Sequence, residues 1–515
     1  MVVLALTQMA MRMSHPAGPP GTDPSPPGEP VAATGTSGLG SLTRVALGWS
    51  FLNNLVSRAG SMLTGIVLAR ILIPEDYGIY AVALVGINAM LSLNELGVSL
   101  AIIRWPGDVR RIAPTVNTLA MSFSTLLFVG AMFGAPYLCR ALHAPDASGV
   151  LRLLATSVLI DAAAAVPAAF MTREFMQDRR LVVDTVGLVI TSTLSIVLAL
   201  DGHGAWSLAW GQIIGNVVNA ALIIWWAPWR FRFGWRRDLV RELLDFGLPL
   251  AVASLMVFAM LNLDYIVVGS ILGPLSLGYY LLAFNLSGWP VGLLSAPIRR
   301  VSLAAFSRLA DDSSKASAAF VRAFTLLLAI TLPASLGMYV LAEPLIGFLY
   351  GEKWLPSAKV LPFLMVLGLT RVLAELAYDF LVAKGRARAN LIVQSIWFAA
   401  LIPALIIGAK TNGIVGVAVG HAITAAVIVG PAYGQVLRRN GVSLMAILRQ
   451  LIRPTIAGIL AAFAGWASLG LVDGRFLQLL VGGSVLLLVY GAIVYPLRRL
   501  LVDTVSESAV PVPAA

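Results

Sequence analysis

Charge is scarce in this sequence. Asp, Glu, Lys and Arg make up 12% of 515 residues, against about 25% in a soluble domain. Apolar residues make up 58%, and a soluble globule so composed would not stay in solution. One core of this size would also divide into domains with visible linkers, yet no gap between apolar runs exceeds about two dozen residues. Cysteine is nearly absent: the single Cys139 excludes a disulfide framework and a cysteine-based metal site. The four histidines, His15, His143, His203 and His421, are scattered, with no H-E-x-x-H pair to hold zinc. The phosphate-gripping pattern G-x-x-x-x-G-K-[ST] is missing. The nearest string, Ile406–Thr411, lacks the glycine before its lysine, which argues against direct ATP use. No Ser/His/Asp arrangement stands out. These absences argue against an enzyme, and the composition defines a polytopic all-α membrane protein with a mean hydropathy of +0.86.

What is present is a rhythm of long apolar runs. Residues 1–41 stand apart. Their Pro/Gly-rich stretch His15–Pro30 cannot pack a core and reads as a disordered cytoplasmic tail. From about Arg44 onward, fourteen runs of roughly 20 residues follow, the length of a spanning helix. The first covers about residues 45–69 and the last about 476–497. With the N-terminus placed in the cytoplasm, 27 of the 36 Lys and Arg fall in inner segments and 7 in outer ones. That asymmetry obeys the positive-inside rule and expects both termini on the cytoplasmic side. In a membrane protein, the net charge of +11 then marks inner loops and not a nucleic-acid surface.

The sequence also repeats itself. Ile66–Tyr80 reads IVLARILIPEDYGIY and Ile266–Tyr280 reads IVVGSILGPLSLGYY, identical at seven of fifteen positions at an offset of 200. Both copies place Pro-x-x-x-Gly at the break between two runs, where a turn needs those residues. A second match pairs GAWSLAWG from Gly204 with GIVGVAVG from Gly413, at an offset of 209. A duplicated six-helix unit follows. Six is even, so the copies are parallel repeats related by an axis along the membrane normal, with a substrate site expected between them near midplane. The expected organisation is a tail (1–41), an N-lobe of six spans (42–228), a basic cytoplasmic linker (229–242), a C-lobe of six spans (243–437), an appended helix pair (438–500) and a cytoplasmic tail (501–515).

Five strings carry a family resemblance: LARILIPEDYGIYA (Leu68–Ala81), NELGVSLAIIR (Asn94–Arg104), LDYIVVGSILGPLSLGYY (Leu263–Tyr280), VSLAAFSRLADD (Val301–Asp312) and LYGEKWLPSAKVL (Leu349–Leu361). Together they resemble the polysaccharide flippases of the multidrug/oligosaccharidyl-lipid/polysaccharide exporter superfamily, in its lipopolysaccharide and exopolysaccharide exporter subgroup. The family usually carries Pro where Ala304 or Ala305 stands here. The resemblance implies two six-helix lobes around a central cavity. It also implies translocation of polyprenyl-diphosphate-linked oligosaccharide across the bacterial cytoplasmic membrane. The partners it implies are lipid-linked oligosaccharide, membrane lipids and polysaccharide polymerase machinery. A monomer, no nucleic acid and no cofactor are expected.

Ionisable groups at bilayer depth cost about 2.5–3.5 kcal/mol each on insertion scales, so each asks for a partner, water or a function. Arg58 lies near the middle of the first run with Asn54 one turn away on the same face. A diphosphate suits a planar, permanently charged fork, which makes Arg58 and Asn54 the substrate-binding candidates. The alternative is a structural pair between Arg58 and Glu95 or Asp264. Arg371, Glu375 and Asp379 follow at i, i+4 and i+8, so they line one face of the tenth run. Arg371–Glu375 pairs within the helix and leaves one negative charge. The row is either a gate or an interlobe salt bridge. Glu95 and Asp264 sit in the family strings and complete the gating and coupling candidates. Asp161 and Asp184 are weaker candidates, with Asp184 expected at the cytoplasmic interface. The aromatic pairs Trp225–Trp226 and Tyr279–Tyr280 fit an interfacial belt better than sugar-stacking platforms.

Two other functions fit the composition. A multidrug antiporter of the same superfamily would share the fold, usually with twelve spans and a cavity dominated by carboxylates or aromatics. A membrane glycan polymerase or ligase would want a large outer loop for its acceptor, and the longest here, about Glu343–Ser357, has about 15 residues.

Overall fold

The computed structural model describes residues 36–94, 102, 109–174, 176–227, 232–309 and 312–495. No β-strand occurs among them. In hydrocarbon every backbone N–H and C=O must be satisfied within its own segment, and a chain this apolar meets that demand with helices. The first is α1 (Thr36–Ile71), followed by α2 (Pro74–Asn94), α3 (Val109–Ala141), α4 (Ala147–Arg173), α5 (Gln177–Leu200) and α6 (Ala205–Trp226). Then come the long α7 (Arg237–Arg308), α8 (Ser313–Val340), and the short α9 (Ala342–Leu349) and α10 (Leu355–Ala358). The last described helices are α11 (Leu361–Ala383), α12 (Ala387–Ile423), α13 (Gly430–Arg439), α14 (Leu444–Ser468) and α15 (Arg475–Val494). A π-helical turn, Thr424–Val429, joins α12 to α13.

Eleven helical stretches among the described residues are long and apolar enough to cross a membrane. Two of them contain a reversal. In α7 the break falls at Gly273, with φ 79°. In α12 it falls at Asn412 and Gly413, the glycine at φ 56°. Only glycine enters that region of φ/ψ space without a steric penalty. Each reversal returns the chain alongside itself: Tyr280 reaches back to Asp264, and Gly408 packs directly on Gly416. Where α8 and α14 begin, side chains stop the unpaired amides. Asp312 accepts from the Ser314 and Lys315 amides at 3.1 and 3.0 Å, and Ser443 accepts from Ala446 at 3.2 Å. The same amides hold the Asp312 carboxyl below its ordinary range.

The helices gather into two compact units. The first holds the described residues up to Leu72 together with Ile79–Asn262, and the second holds Ile73–Gly78 with the chain from Leu263 onward. These units divide the chain by packing, whereas the repeat divides it by sequence. In the first unit α5 packs on α6 and α1, and α3 packs on α4. Glycines set the closest approach: Gly211 and Gly215 bring α6 against Thr191 of α5, the small-residue contact that lets membrane helices touch. In the second unit α8 packs on α11 and α14, and α14 on α15.

Two findings support the duplication. Gly204 and Gly413, paired by the second sequence match, share a backbone conformation: φ 52°, ψ −133° and φ 56°, ψ −140°. The first match has a reciprocal contact. Gly78 lies on the Pro274 carbonyl, and Gly278 lies on the Pro74 carbonyl. A contact and its image at the repeat offset are what a local two-fold axis produces. The surrounding aromatics seal this crossing. Trp354 is fully buried, edge-on to Tyr77 at 5.1 Å and Tyr279 at 6.0 Å, and Ser357 Oγ donates to the Tyr279 carbonyl at 2.9 Å. A methyl group on Gly78 would occupy the place of that carbonyl. Gly78→Ala is therefore expected to destabilise by about 1–3 kcal/mol, the usual cost of overpacking. Gly65→Ala, where no atom lies within 4 Å of the added carbon, is the control. Thermal unfolding of the detergent-solubilised protein checks both.

Candidate functional site

In the first unit, α1 has three distinct faces. Asn53, Gly60 and Thr64 turn toward α5. Asn53 donates to Asp184 at 2.7 Å, Gly60 meets Leu188, and Thr64 shares a hydrogen bond of 2.6 Å with Ser192. Leu52, Leu55 and Leu63 form an exposed apolar face. Asn54, Arg58 and Ser61 form a third face, polar and also exposed. At 3.6 residues per turn the polar face lies about a third of a turn from both others. A helix in lipid has no physical use for an exposed arginine turned away from its leucines unless water or a ligand lies there. Among the described residues Arg58 has no ion pair. Asp264, one partner considered for it, hydrogen-bonds within the second unit, and Glu95, the other, lies outside the described residues. Asp184 is drawn into helix packing, accepting from Asn53 and Asn219 at 2.7 and 3.2 Å, with Arg180 3.8 Å away.

In the second unit, α11 carries Arg371, Glu375 and Asp379 on one face. Arg371 Nε lies 3.3 Å from Glu375 Oε1, the internal pair expected from the spacing. The residual negative charge is not left over, because Arg299 near the end of α7 supplies the balance. Its guanidinium holds Asp379 side-on through Nε and Nη2, at 2.8 and 3.0 Å, and donates from Nη1 to Glu375. Two arginines thus neutralise two carboxylates, and the Asp379 side chain is only 9% exposed. A second cluster forms where the arms of α7 meet. Tyr280 donates its hydroxyl to Asp264 at 3.0 Å, and the Tyr265 amide donates to the other carboxyl oxygen at 3.0 Å. His421 Nδ1 stands 3.9 Å from Asp264 and has no hydrogen-bond partner among the described residues. Arg371 is within electrostatic reach of both Asp264 and His421, which links the two clusters.

Sequence reasoning missed Arg299 and His421. Arg299 falls one residue beyond the eighth apolar run and counts there as a loop cation. Its only local signal is its place at that run's edge, within the error of any boundary. His421 follows the glycine that closes the second repeat match, and an ionisable residue in a spanning run is itself a signal. Tyr280 corrects an expectation. It is fully buried against Asp264, stacks on Phe284 and is no belt residue. Trp225, at 84% exposed, fits the belt.

Stacked apolar helices, glycine reversals and a neutralised charge row inside a helix bundle define a multi-pass membrane protein. Residues 67–359 match the model of a family described as polysaccharide biosynthesis protein, more than half of the chain, and the chain belongs to that family. It is 27% identical over 380 residues to the lipopolysaccharide biosynthesis protein WzxC of Escherichia coli (strain K12), covering 72% of this chain and 76% of that one. It is 23% identical over 472 residues to the succinoglycan biosynthesis transport protein ExoT of Rhizobium meliloti (strain 1021), covering 89% and 92%. The fold is similar to the lipid II flippase MurJ in an inward closed conformation, with a TM-score of 0.72 at 15% identity over 88% of this chain and 100% of that one. It is also similar to an inward-facing multidrug resistance transporter of the MATE family, at 0.59 and 20% over 75% and 94%.

Proposed function

We propose that this protein moves polyprenyl-diphosphate-linked oligosaccharide from the inner to the outer leaflet of the bacterial cytoplasmic membrane, for cell-surface polysaccharide biosynthesis. The observation that carries the reading is the polar face of α1. It holds an arginine without an ion pair among the described residues, in a chain of a polysaccharide-biosynthesis family. The cargo has a charged diphosphate and a polar glycan that cannot cross hydrocarbon, since each polar group would lose its hydrogen bonds to water. Its prenyl tail stays in lipid. A hydrated path whose access alternates between the two leaflets satisfies both ends. Arg58, with Asn54 beside it, grips the diphosphate. Asp264, Arg371, Glu375 and Asp379, with Glu95 on the second run, bias the switch between inward and outward states.

The reading places fourteen spans in the membrane, with both termini in the cytoplasm. It is not an enzyme, and it acts as a monomer that hands its cargo to polymerase machinery. The multidrug alternative expects a cavity ruled by carboxylates or aromatics, and the Arg58 face favours the anionic cargo. Topology is tested with reporter fusions after Arg237 and after Lys353. They should report opposite sides, the first cytoplasmic, and a shared side would overturn the span count. Function is tested by deleting the gene in its own host. Loss of surface glycan with accumulation of the lipid-linked precursor supports flipping, and undiminished export overturns it.

A further inference from the structure

Within the first unit, apart from the Arg58 face, lies a cavity of about 400 Å³. Its wall is a stripe of α4. Ser157, Asp161, Ala165, Ala168 and Thr172 recur at helical spacing on one side of that helix and extend about 22 Å along it. Asn94 from α2 and Asn216 and Asn219 from α6 line the cavity, with Arg180 of α5 also contributing. The remaining lining is mostly alanine. Several lining groups are already oriented by one another. Asn94 donates to Asp161 at 3.1 Å, Asn216 donates to Ser157 at 3.3 Å, and Arg180 donates to Thr172 at 3.4 Å.

Asp161 stands near the middle of α4, where a carboxylate is costly, and yet its side chain is exposed to the cavity. A carboxylate offers about four acceptor sites, and the Asn94 contact occupies one. Alanines at these positions keep the space open where larger apolar residues would have filled it and improved packing. A fold that needed only stability would have neither the void nor the acid.

The shape and chemistry select the ligand. A cation would need oxygens converging at about 2.3–2.6 Å on one point. Here the polar groups are strung along the wall, and no cluster of three His, Cys, Asp or Glu side chains occurs among the described residues. Side-chain amides and hydroxyls both donate and accept, and a carboxylate accepts from a pair of neighbouring hydroxyls. That complement matches a molecule whose hydroxyls also donate and accept. The volume lies within the range of small-molecule pockets.

We infer that this cavity is a recognition pocket for an uncharged sugar unit of the transported glycan, with Asp161 the acceptor for its hydroxyls. The inference rests on the flippase reading and deepens it. The diphosphate is held at Arg58, and the identity of the sugar is read inside the first unit.

The test uses the full-length protein in its own host, deleted for the chromosomal gene. In a Cys139→Ala background, Ala165→Cys places the only thiol on the cavity wall. N-ethylmaleimide labelling is followed in cells that make the lipid-linked glycan and in cells blocked at its first glycosyltransferase. Labelling at least about threefold slower in glycan-producing cells is expected. In parallel, Asp161→Asn is expected to lower export about tenfold at unchanged membrane level and melting temperature, the size of one charged hydrogen bond lost. Equal labelling in both strains, or none in either, overturns the pocket, as does normal export by Asp161→Asn. If the wild-type gene restores export while these variants behave as controls, the pocket alone fails. If the wild-type gene makes no difference to export, the flippase reading fails and the pocket with it.

Discussion

Replacing Arg58 by alanine is expected to abolish glycan export while the protein reaches the membrane at its normal level. The residue lies on an exposed face of α1, while Asn53, Gly60 and Thr64 carry the contact with α5. Truncation therefore leaves no orphaned partner among the described residues and no cavity, and folding should be untouched. Binding should not be. A guanidinium grips two phosphate oxygens with two charged hydrogen bonds, and losing both corresponds to about a hundredfold or more in affinity. Arg58→Lys should restore export only in part, because a compact ammonium replaces a planar fork. Surface glycan in the deletion strain, with membrane protein quantified alongside, decides the matter. Full export by a normally expressed Arg58→Ala protein would remove Arg58 from the mechanism.

The parts of this site that were legible in the sequence are those set by local spacing. Arg371 and Glu375 stand one helical turn apart, so their pairing follows from the period of the helix. The Pro74 and Pro274 turns were legible because a reversal in a membrane helix demands Pro and Gly, and a duplication preserves the demand in both copies. What spacing does not encode is contact across the bundle. Arg299 meets Asp379 across 80 residues, and nothing near Arg299 distinguishes an arginine that ends a span in a loop from one that folds back into the interior. Tyr280 failed for a related reason. A tyrosine beside a turn suits the headgroup region and suits a buried carboxylate equally well, and only the position of Asp264 one helix away decides between them. His421 is a third case. Its neighbour Asp264 lies more than 150 positions earlier in the chain, so the pair exists only after both reversals have formed.

Removing Arg299 should produce a large loss of stability in the second unit. Its side chain is 16% exposed and its guanidinium holds two carboxylates, with the Glu375 side chain at 26% and that of Asp379 at 9% exposure. Their separation by one helical turn leaves them close enough to repel once the cation is gone. Among the described residues Arg371 forms its ion pair with Glu375, so Asp379 would be left as an uncompensated charge in the bundle. Breaking such a pair costs about 3–5 kcal/mol, whereas replacing the whole network with neutral groups is often close to neutral. Arg299→Ala is therefore expected to reach the membrane at a fraction of the normal level and to unfold at a markedly lower temperature in detergent. The triple variant Arg299→Ala, Glu375→Gln, Asp379→Asn should recover most of that stability. It would still lack the charges proposed to bias the switch, so glycan export should remain low although the protein is present. That combination separates the two roles the sequence left open. A triple variant that is stable and exports normally would make the cluster purely structural. A triple variant as unstable as Arg299→Ala would show that packing of the long guanidinium stem, and not charge balance, holds α7 against α11.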